Sequence, residues 1–468
     1  MDAPRLSVQR PDLKDLRVLV VGCGRSGLAA ARLAANQGAR VLLTDNRTAE
    51  QLGAAAVEAR DLGATLHFGS NPAELAEAAD LIVLSPGVPQ EIPLIRRARE
   101  LDLPVWSEIE LATRFHRGQV IAVTGSNGKS TVTTMIGAIV AACGQRCEVG
   151  GNLDRPFAEL VDPEADDLLY VLELSSFQLE TTLSLNADVA LLLNLSPDHL
   201  DRYADMTAYA DAKARLLELQ DADGFTVLSA DDPASRPFDA RVRGKLHLFS
   251  TRGPVERGAF VREGRMILRT SAGEEDVLDL SSLRLPGEHN RANALAAGLA
   301  ARLAGCSIEA IVRGLTQYRA LPHRLEHVRS LGGIEFYNDS KATNPESAVC
   351  ALSSFEPGRV HLILGGKEKG ADWSELVSLI GRHARRVLLV GAASEFLAQR
   401  LRGIIPCVAC ETVPAAVLAG FRGAQDGDVI LLSPGCASFD QYRNFEERGE
   451  DFRQAAHALS GREAEHDA

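Results

Sequence analysis

The sequence lacks the features that mark membrane, exported and nucleic-acid-binding proteins. Its 468 residues contain no apolar run of about 18 residues, the length that a membrane-spanning helix needs. Residues 1–10 hold no apolar core of a secretory signal, so we expect a cytoplasmic protein without membrane partners. Lys and Arg number 50 against 63 Asp and Glu, and the net charge of −13 disfavours nucleic-acid partners.

Cysteine pairs of the kind that bind zinc are also missing. The eight cysteines include one close pair, Cys407-x-x-Cys410, and no second pair completes a zinc site. We therefore expect reduced and mostly buried thiols. The chain also shows no repeat with a period of about 20–50 residues and no low-complexity tract.

The pattern of apolar segments predicts an α/β fold in three domains. The chain is too long for one hydrophobic core, and we place the domains at residues 1–107, 108–320 and 321–468. Each contains short apolar strands that end in Gly or Pro turns, as in parallel sheets covered by helices. Alternating runs over 242–285 instead predict antiparallel strands at a sheet edge, and the polar tail, 461–468, is expected to fray.

The first domain begins with the strand–turn–helix–strand pattern of a dinucleotide-binding unit. A strand from Arg17 leads into the turn Gly22-Cys-Gly-Arg-Ser-Gly27, an Ala-rich helix follows over 28–37, and a second strand ends at Asp45. A further strand runs into the turn Ser85-Pro-Gly87, where doubly wound sheets bind ligands. This pattern predicts a phosphate or ribose site without deciding between NAD and another nucleotide.

The second domain contains a compact phosphate loop. Residues 123–134 read VTGSNGKSTVTT, and two residues separate Gly125 from Gly128, whereas the common loop G-x-x-x-x-G-K-[ST] has four. Backbone N–H groups and the helix dipole would still point at one phosphate, with Lys129 beside the outer phosphates. Ser130 would offer its hydroxyl to Mg²⁺. A glycine turn without a ligand would give Lys129 no role.

Two polar residues lie near the predicted carboxyl ends of strands, and a lysine follows them along the chain. Glu173 ends an apolar strand, where a carboxylate is costly unless it is paired or binds a metal. His199 lies just beyond the next apolar strand, and Lys213 follows it along the chain. Each also has a simpler explanation, because Glu173 could be solvated, a lone histidine is more often structural, and an ammonium repels Mg²⁺.

Together these motifs resemble those of the Mur ligases along nearly the whole chain. The stretches that carry the resemblance are 124–131 (TGSNGKST), 150–152 (GGN), 172–180 (LELSSFQLE), 198–203 (DHLDRY), 289–293 (HNRAN), 321–324 (LPHR), 338–344 (NDSKATN), 364–366 (LGG), 433–440 (SPGCASFD) and 444–445 (NF). The 338–344 and 433–440 stretches resemble most the branch of the family that adds glutamate.

The resemblance implies a Rossmann-like N-terminal domain for a UDP-linked substrate, a central P-loop-type ATPase domain and a Rossmann-like C-terminal domain for the amino acid. The glycine turn of the first domain would then hold UDP and not NAD. ATP would phosphorylate the terminal carboxylate of UDP-N-acetylmuramoyl-L-alanine, and the amine of glutamate, the D enantiomer in this branch, would attack the acyl phosphate. The expected protein is a monomeric, ADP-forming ligase of peptidoglycan precursor synthesis, a pathway that serves cell-wall growth, cell shape and division.

The resemblance also implies roles for individual residues. The expected ATP contacts are Gly125, Ser126, Asn127, Gly128, Lys129, Ser130, Thr131, Asn293, Arg324 and Asp339. The expected ligands of two Mg²⁺ ions are Ser130, Glu173, His199 and Lys213. Lys213 would be carbamylated, which replaces the repelling ammonium with a carboxylate. The expected catalytic residues are Lys129, His199 and Lys213.

The two remaining substrates have their own implied contacts. The UDP-linked substrate would contact Arg25, Ser26, Asn46, Arg47, Gly87 and Asn152. Glutamate would be surrounded by Lys341, Thr343, Lys369, Ser438 and Phe445. The family lysine after Gly365-Gly366 matches either Lys367 or Lys369, and the following Ala371-Asp372 favours Lys369.

Three other functions fit part of the sequence. Another Mur ligase or a folylpolyglutamate synthetase would use the same ATP chemistry. An NAD-dependent oxidoreductase would use the first domain, but it leaves the Lys129 loop unexplained. A nucleotide-binding protein without activity would not need Lys129, Glu173, His199 and Lys213 together.

Overall fold

The computed structural model describes residues 10–198, 202–271, 273–285, 287–319 and 321–460. The tail whose fraying the sequence predicts lies outside these ranges. Within them, three β-sheets follow one another along the chain, each accompanied by helices. The α/β class predicted from the sequence is confirmed. None of the described helices combines the length and apolar character needed to cross a membrane.

The first sheet is the predicted doubly wound unit. Its elements, with the helix that follows them, are β1 (Arg17–Val21), α1 (Arg25–Asn36), β2 (Arg40–Asp45), α2 (Ala49–Leu52), α3 (Ala54–Asp61), β3 (Thr65–Phe68), β4 (Leu81–Leu84), α4 (Pro93–Glu100), β5 (Val105–Ser107) and α5 (Glu108–Thr113). The five strands are all parallel, in the order β3-β2-β1-β4-β5. Helix α1 begins three residues before the predicted start at 28, so the last residues of the Gly22–Gly27 segment form its first turn.

The second sheet is the largest and holds nine strands. Its elements are β6 (Gln119–Thr124), α6 (Lys129–Cys143), β7 (Cys147–Gly151), α7 (Phe157–Leu160), β8 (Leu169–Glu173), α8 (Ser176–Glu180), β9 (Val189–Leu192), α9 (Met206–Glu218), β10 (Phe225–Ser229), β11 (Lys245–Ser250), β12 (Gly258–Arg262), β13 (Arg265–Thr270), β14 (Gly273–Asp279), α10 (Glu288–Leu303) and α11 (Ile308–Gln317). The strand order is β14-β13-β12-β11-β10-β9-β6-β8-β7.

The prediction of antiparallel strands over 242–285 is half right. β13 and β14 are antiparallel and lie at the sheet edge, but β11 and β12 continue the parallel part of the sheet. The change of direction occurs at the two-residue turn between β12 and β13, where Glu263 and Gly264 have φ angles of 52° and 76°. Two positive φ angles form the hairpin turn that matches the strand twist, so this turn enforces the antiparallel pairing.

The third sheet has six strands and again is mostly parallel. Its elements are β15 (Glu326–Leu331), β16 (Ile334–Asn338), α12 (Pro345–Leu352), β17 (Val360–Gly365), α13 (Ser374–His383), β18 (Ala384–Val390), α14 (Ser394–Arg400), β19 (Cys407–Ala409), α15 (Val413–Gly423), β20 (Val429–Leu432) and α16 (Phe445–Ala458). The order is β15-β16-β20-β17-β18-β19, and only the β15–β16 pair is antiparallel in the described part of the chain.

The chain separates into two compact units. One runs through residue 282 and resumes over 292–317, and the other comprises 283–291 and the chain from 318 onward. The boundary predicted at 320/321 lies close to the start of the second unit. The boundary predicted at 107/108 falls between β5 and α5, inside the first unit, which therefore contains the first two sheets.

The central strands are buried along their whole length. Every residue of β4, β8, β9 and β20 is buried, as expected for strands covered by helices on both faces. Polar side chains at the carboxyl ends of such strands are held where loops converge, and this arrangement positions the candidate site.

Candidate active site

The phosphate loop predicted from the sequence connects β6 to α6. Gly125 and Gly128 have φ angles of 146° and 83°, in the region that favours glycine. A Cβ atom on Gly128 would lie 2.6 Å from Oδ1 of Asn293, so a glycine is needed for α10 to approach the loop. Asn293, which the family resemblance implies as an ATP contact, therefore lies against the loop. Thr131 stands in the first turn of α6.

The loop is held by a residue that the sequence did not reveal, Asn194. The backbone N–H of Ser126 donates to the Asn194 carbonyl oxygen at 2.9 Å, and the N–H of Asn127 donates to Asn194 Oδ1 at 2.8 Å. Asn194 Nδ2 donates back to the carbonyl of Asn127 at 3.1 Å. Asn194 follows β9, the strand next to β6, so one amide fixes the loop to its neighbouring strand.

Two lysines converge on the loop from different helices. Lys129, at the start of α6, donates through Nζ to the carbonyl oxygens of Gly125 at 2.9 Å and Ser126 at 2.8 Å. Lys213, from α9, donates to the same Gly125 carbonyl at 2.8 Å. Its Nζ also lies 4.7 Å from the centre of the Tyr209 ring. The structure thus brings Lys213 to the loop, although the two lysines lie 84 positions apart in the sequence.

The buried position of Lys213 decides its charge. The residue is 2% exposed. Burial, and then the nearby charge of Lys129, hold the pKa of Lys213 well below its usual value, against the opposing carboxylates of Asp198 and Glu173. Burial therefore favours the uncharged amine of Lys213, the form that reacts with electrophiles.

Glu173 and Ser130 form the second polar pair at the loop. Glu173 ends β8 and is 3% exposed, and its Oε2 accepts a hydrogen bond from the Ser130 hydroxyl. Its Oε1 accepts a hydrogen bond from Asn152 Nδ2 at 2.8 Å. The backbone N–H of Asn152 also donates to the Glu173 carbonyl at 2.8 Å. Asn152 therefore lies beside the carboxylate rather than in the first domain with the other predicted UDP contacts.

This donor set fits a hard divalent cation. Hydroxyl and carboxylate oxygens are the ligands that Mg²⁺ prefers, and Ser130 and Glu173 supply both at the phosphate loop. Among the residues described, no group of three or more His, Cys, Asp or Glu side chains could hold a metal by itself. The predicted ligand His199 lies outside the described residues.

The predicted UDP contacts of the first domain line one cleft at the carboxyl end of the first sheet. The residues that line it are Gly22, Gly24, Arg25, Ser26, Asp45, Asn46, Arg47, Ser85, Pro86, Gly87 and Val88. Helix α1 begins at the cleft and directs its N-terminus there. Arg25 Nη1 also donates to the backbone carbonyl of Asp154 at 3.2 Å, which links the cleft to the loop that carries Asn152.

Asp45, the acid at the position typical of a ribose-binding residue, is already engaged. Its carboxylate accepts two hydrogen bonds from the Arg47 side chain at 2.9 and 2.8 Å, and one from the Cys23 N–H at 2.7 Å. Burial alone would raise the pKa of Asp45, but these hydrogen bonds outweigh it and lower the pKa to about 2. A carboxylate used in this way is poorly placed to bind the ribose of NAD.

In the second unit, Asp339 fixes the segment that carries Arg324. Asp339 follows β16, and its carboxylate accepts hydrogen bonds from the Leu325 N–H at 3.0 Å and the Ser433 hydroxyl at 2.8 Å. Burial raises the pKa of Asp339 to about 7, against these hydrogen bonds. His323 and Leu325, on either side of Arg324, have φ angles of 64° and 47°. Strained backbone of this kind persists where surrounding contacts enforce it and is common at functional sites.

Two of the residues expected to surround glutamate are in contact in this unit. Lys341 Nζ lies 3.9 Å from the centre of the Phe445 ring, a cation–π contact between two of the predicted residues. Ser438 is buried, and Thr343 is half-buried two residues beyond Lys341.

Both lysines of the 367–369 stretch are exposed. The Lys367 backbone forms a two-way bridge with Ala437, at 2.8 and 3.1 Å, which draws this loop to the residue before Ser438. Lys369 lies two residues further along the same loop. The choice between Lys367 and Lys369 therefore stays a prediction.

Comparison with known proteins assigns each part of the chain to one family. The Mur ligase MurD-like N-terminal domain matches residues 16–107, the Mur ligase middle domain matches 123–301, and the Mur ligase glutamate ligase domain matches 323–436. These three matches leave no segment for the dehydrogenase alternative.

Curated relatives agree along nearly the full length. The chain is 43% identical over 452 residues to the UDP-N-acetylmuramoylalanine–D-glutamate ligase of Acidobacterium capsulatum, which covers 96% of this chain and 98% of that protein. It is 44% identical to the enzyme of the same name from Anaeromyxobacter dehalogenans, which covers 95% of this chain and 98% of that protein.

Solved structures share the fold at lower identity. A pseudomurein peptide ligase type C from Methanothermus fervidus matches with a TM-score of 0.59 and 18% identity, over 95% of this chain and 99% of that one. UDP-N-acetylmuramate-alanine ligase from Thermotoga maritima matches with a TM-score of 0.59 and 17% identity, over 94% and 98%. From the phosphate loop, the three domain matches and the full-length relatives, this chain belongs to the Mur ligase family.

Proposed function

We propose that this chain joins D-glutamate to UDP-N-acetylmuramoyl-L-alanine, with hydrolysis of ATP to ADP and phosphate, in the cytoplasmic synthesis of peptidoglycan precursors. The observation that carries the proposal is the Ser130–Glu173 pair beside Lys129, because it places a cation and metal ligands at one phosphate loop. Full-length relatives with this activity in their names support the choice of substrates.

The chemistry explains why these residues are needed. A carboxylate is a poor acyl donor, so one of its oxygens first attacks the γ-phosphorus of ATP and ADP leaves. The glutamate amine then attacks the acyl carbon, phosphate leaves, and the nitrogen loses a proton to give the amide. Both steps bring anions together, and fixed positive groups at the loop lower that cost.

The loop residues divide this task. Lys129 and the N-terminus of α6 would hold the outer phosphates, and Asn293 would approach from α10. Ser130 and Glu173 would hold Mg²⁺, which screens the phosphate charges when bound. Asn152 would orient the Glu173 carboxylate through its hydrogen bond. Groups that hydrogen-bond to metal ligands commonly have this role at metal sites.

Lys213 would serve a second Mg²⁺ after carbamylation. Its neutral amine would attack CO₂ and lose a proton, which converts Nζ into a carbamate with two oxygen ligands. Burial supports this assignment, because an uncharged amine is the reactive form and the carbamate would face Lys129. His199 would complete the second site.

The two other substrates would approach from separate loops. The UDP group would occupy the cleft of the first sheet, with Arg25 leading toward the Asn152 loop. Glutamate would bind at Lys341, Thr343, Ser438 and Phe445, with Lys369 as the favoured lysine of its loop. Arg324 and Asp339 would be further ATP contacts. We expect the working enzyme to be a monomer.

The decisive experiment measures ADP and phosphate release with UDP-N-acetylmuramoyl-L-alanine and a panel of amino acids. We expect turnover with D-glutamate and at least about tenfold less with L-glutamate, a discrimination of roughly 1.4 kcal/mol. Turnover with a different amino acid would identify another ligase of the family. Absence of ATP-dependent amide formation with every amino acid would refute the proposal, and binding of NADH would revive the oxidoreductase alternative.

A further inference from the structure

Helix α16 carries an arginine whose guanidinium is buried in the second unit. Arg448 is 2% exposed, which is rare for arginine. No ion pair joins it to a carboxylate among residues 10–198, 202–271, 273–285, 287–319 and 321–460. A buried charge without a carboxylate partner is costly, so its retention calls for a reason other than stability.

The guanidinium contacts two loops that carry residues predicted to bind the substrate glutamate. Nε donates to the Ser340 hydroxyl at 3.0 Å, and Nη2 donates to the Ser340 carbonyl at 2.8 Å. Nη1 donates to the Cys436 carbonyl at 3.1 Å. Ser340 precedes Lys341, and Cys436 lies two residues before Ser438.

The same group reaches the third loop and the start of its own helix. A Cβ atom on Gly366 would lie 3.1 Å from Arg448 Nη1, so the Gly365-Gly366 turn that leads to Lys369 packs directly on the guanidinium. The Ser340 hydroxyl, which accepts from Arg448, donates in turn to the Phe445 carbonyl at 2.8 Å. Phe445 begins α16.

We propose that Arg448 is the positioning residue of the amino-acid site, which holds the loops of residues 338–344, 364–370 and 433–440 in register and gives the site a fixed positive charge. This inference rests on the proposed function for the identity of the amino acid. Each loop supplies a different side chain to that site, and one planar group with donors in fixed directions sets their spacing. The charge attracts an amino acid that carries two carboxylates.

Electrostatics agree with this role. Burial lowers the pKa of Arg448 to about 10, against the opposing influence of Cys436, Asp440, Tyr442 and Asp339. The guanidinium therefore stays charged at neutral pH. Such a charge suits a permanent field, because the side chain does not titrate near pH 7.

The test compares Arg448→Met with Arg443→Met. Arg443 lies just before α16, its side chain is 87% exposed, and it pairs with Glu447 at the surface. Hydrogen–deuterium exchange of the ligand-free proteins is measured over the three loops. The inference predicts faster exchange in all three loops for Arg448→Met and unchanged exchange for Arg443→Met. Unchanged exchange in Arg448→Met would overturn the inference.

Kinetics separate positioning from general damage. We expect Arg448→Met to raise the KM for glutamate by about tenfold or more while the KM values for ATP and the UDP-linked substrate change less than about twofold. Arg448→Lys keeps the charge but not the planar set of donors, so its KM for glutamate should rise less than that of Arg448→Met. Equal increases in all three KM values would show a merely structural role and overturn the inference.

A less disruptive variant tests the same role in case Arg448→Met does not fold. Ser340→Ala removes one acceptor of Arg448 and the link to Phe445, and it should raise the KM for glutamate with the same selectivity. An unchanged KM for glutamate in this variant would count against the inference. If the unaltered protein ligates no amino acid, the proposed function fails, whereas the exchange experiment still decides whether Arg448 orders the three loops.

Discussion

Lys129 and Lys213 donate hydrogen bonds to the same acceptor, the carbonyl oxygen of Gly125, at 2.9 and 2.8 Å. Two ammonium groups this close repel each other, and the more buried one gives up its charge at lower pH. Burial and the charge of Lys129 therefore favour the neutral amine at Lys213. The cation suits phosphate binding, and the amine suits carbamylation, so the arrangement assigns different chemistry to two lysines at one loop.

The first prediction concerns the cation. Lys129→Ala should lower the turnover of ATP by roughly 10²–10³-fold, because it removes a charge that stabilises the transition state of phosphoryl transfer. The fold should persist, since Lys129 is partly exposed and lies at a helix start. ADP release and the thermal midpoint are the measurements. Lys245→Ala is the matched control, because Lys245 is an exposed lysine paired with Asp223; near-normal turnover in Lys129→Ala would contradict the assignment.

The second prediction concerns the amine. If Lys213 is carbamylated, Lys213→Arg should lose activity by about 10²-fold or more, since it places a permanent cation beside a metal. Lys213→Glu should retain more activity than Lys213→Arg, because it keeps the ligand charge. Acetate or formate should partly restore Lys213→Ala by occupying the vacated space. Mass spectrometry under CO₂ tests for the carbamate on Lys213 without depending on activity.

The alternative that Lys213 acts as a cation predicts the reverse order of activity for the Arg and Glu variants. If Lys213 acts as an ammonium, arginine should be tolerated and glutamate should be harmful. Full activity of Lys213→Arg would therefore end the carbamate proposal. Because Lys213 is 2% exposed, each variant needs a thermal unfolding curve, so that lost activity is not confused with lost packing.

The phosphate loop could be predicted from the sequence because the features that identify it are local. A strand, two glycines, a lysine and a helix lie within residues 119–143, and each contributes through its own backbone or dipole. The same holds for the cleft of the first domain, whose predicted contacts come from the turns after β1, β2 and β4. Local patterns of this kind specify local geometry.

Asn194 and Arg448 could not be found in this way. Asn194 acts through hydrogen bonds to a loop 67 residues earlier, and Arg448 contacts Ser340, 108 residues earlier. In the sequence, Arg448 stands among Glu446, Glu447 and Glu450, which predicts an exposed helix face. Only the packing of α16 shows that this arginine is buried. The parallel pairing of β11 with β12 was missed for a related reason, since the direction of pairing depends on the path of residues 251–257.

The third prediction concerns the cleft of the first domain. Arg47→Ala should raise the KM for UDP-N-acetylmuramoyl-L-alanine by roughly tenfold, because it removes a cation from the predicted diphosphate site. The free energy of unfolding should also fall, because the variant leaves the Asp45 carboxylate, whose side chain is 5% exposed, without its arginine partner, so the stability of each variant is measured beside its KM. Arg40→Ala is the control, because Arg40 begins β2, is 74% exposed and pairs with Asp15 at the surface. Equal KM values for the two variants would argue against a UDP contact at Arg47.

The last prediction concerns a buried carboxyl, Glu108, at the start of α5. Glu108 is 1% exposed, and its Oε1 accepts a hydrogen bond from the Ala158 N–H at 2.5 Å. Its Oε2 has no hydrogen-bond partner in the described part of the chain. Burial raises the pKa of Glu108 from 4.5 to about 8, against the opposing hydrogen bond from Ala158. The folded state therefore binds this proton more tightly than the unfolded state does.

The sign of the pH effect follows from this difference. The free energy of unfolding should fall as pH rises from 4.5 to about 8, and the contribution of Glu108 should level off above the upper value. The glutamine side chain of Glu108→Gln cannot ionise, and its carbonyl can still accept the hydrogen bond from the Ala158 N–H. The free energy of unfolding of this variant should therefore not show the Glu108-dependent fall with rising pH. The variant should gain stability relative to the unaltered protein with rising pH, by at most about 5 kcal/mol at ~1.4 kcal/mol per pH unit. Denaturant unfolding at pH 5, 7 and 9 measures the difference, with Glu91→Gln, an exposed carboxylate paired with Arg99, as the control. A difference between Glu108→Gln and the unaltered protein that stays constant from pH 5 to 9 would show that Glu108 titrates normally.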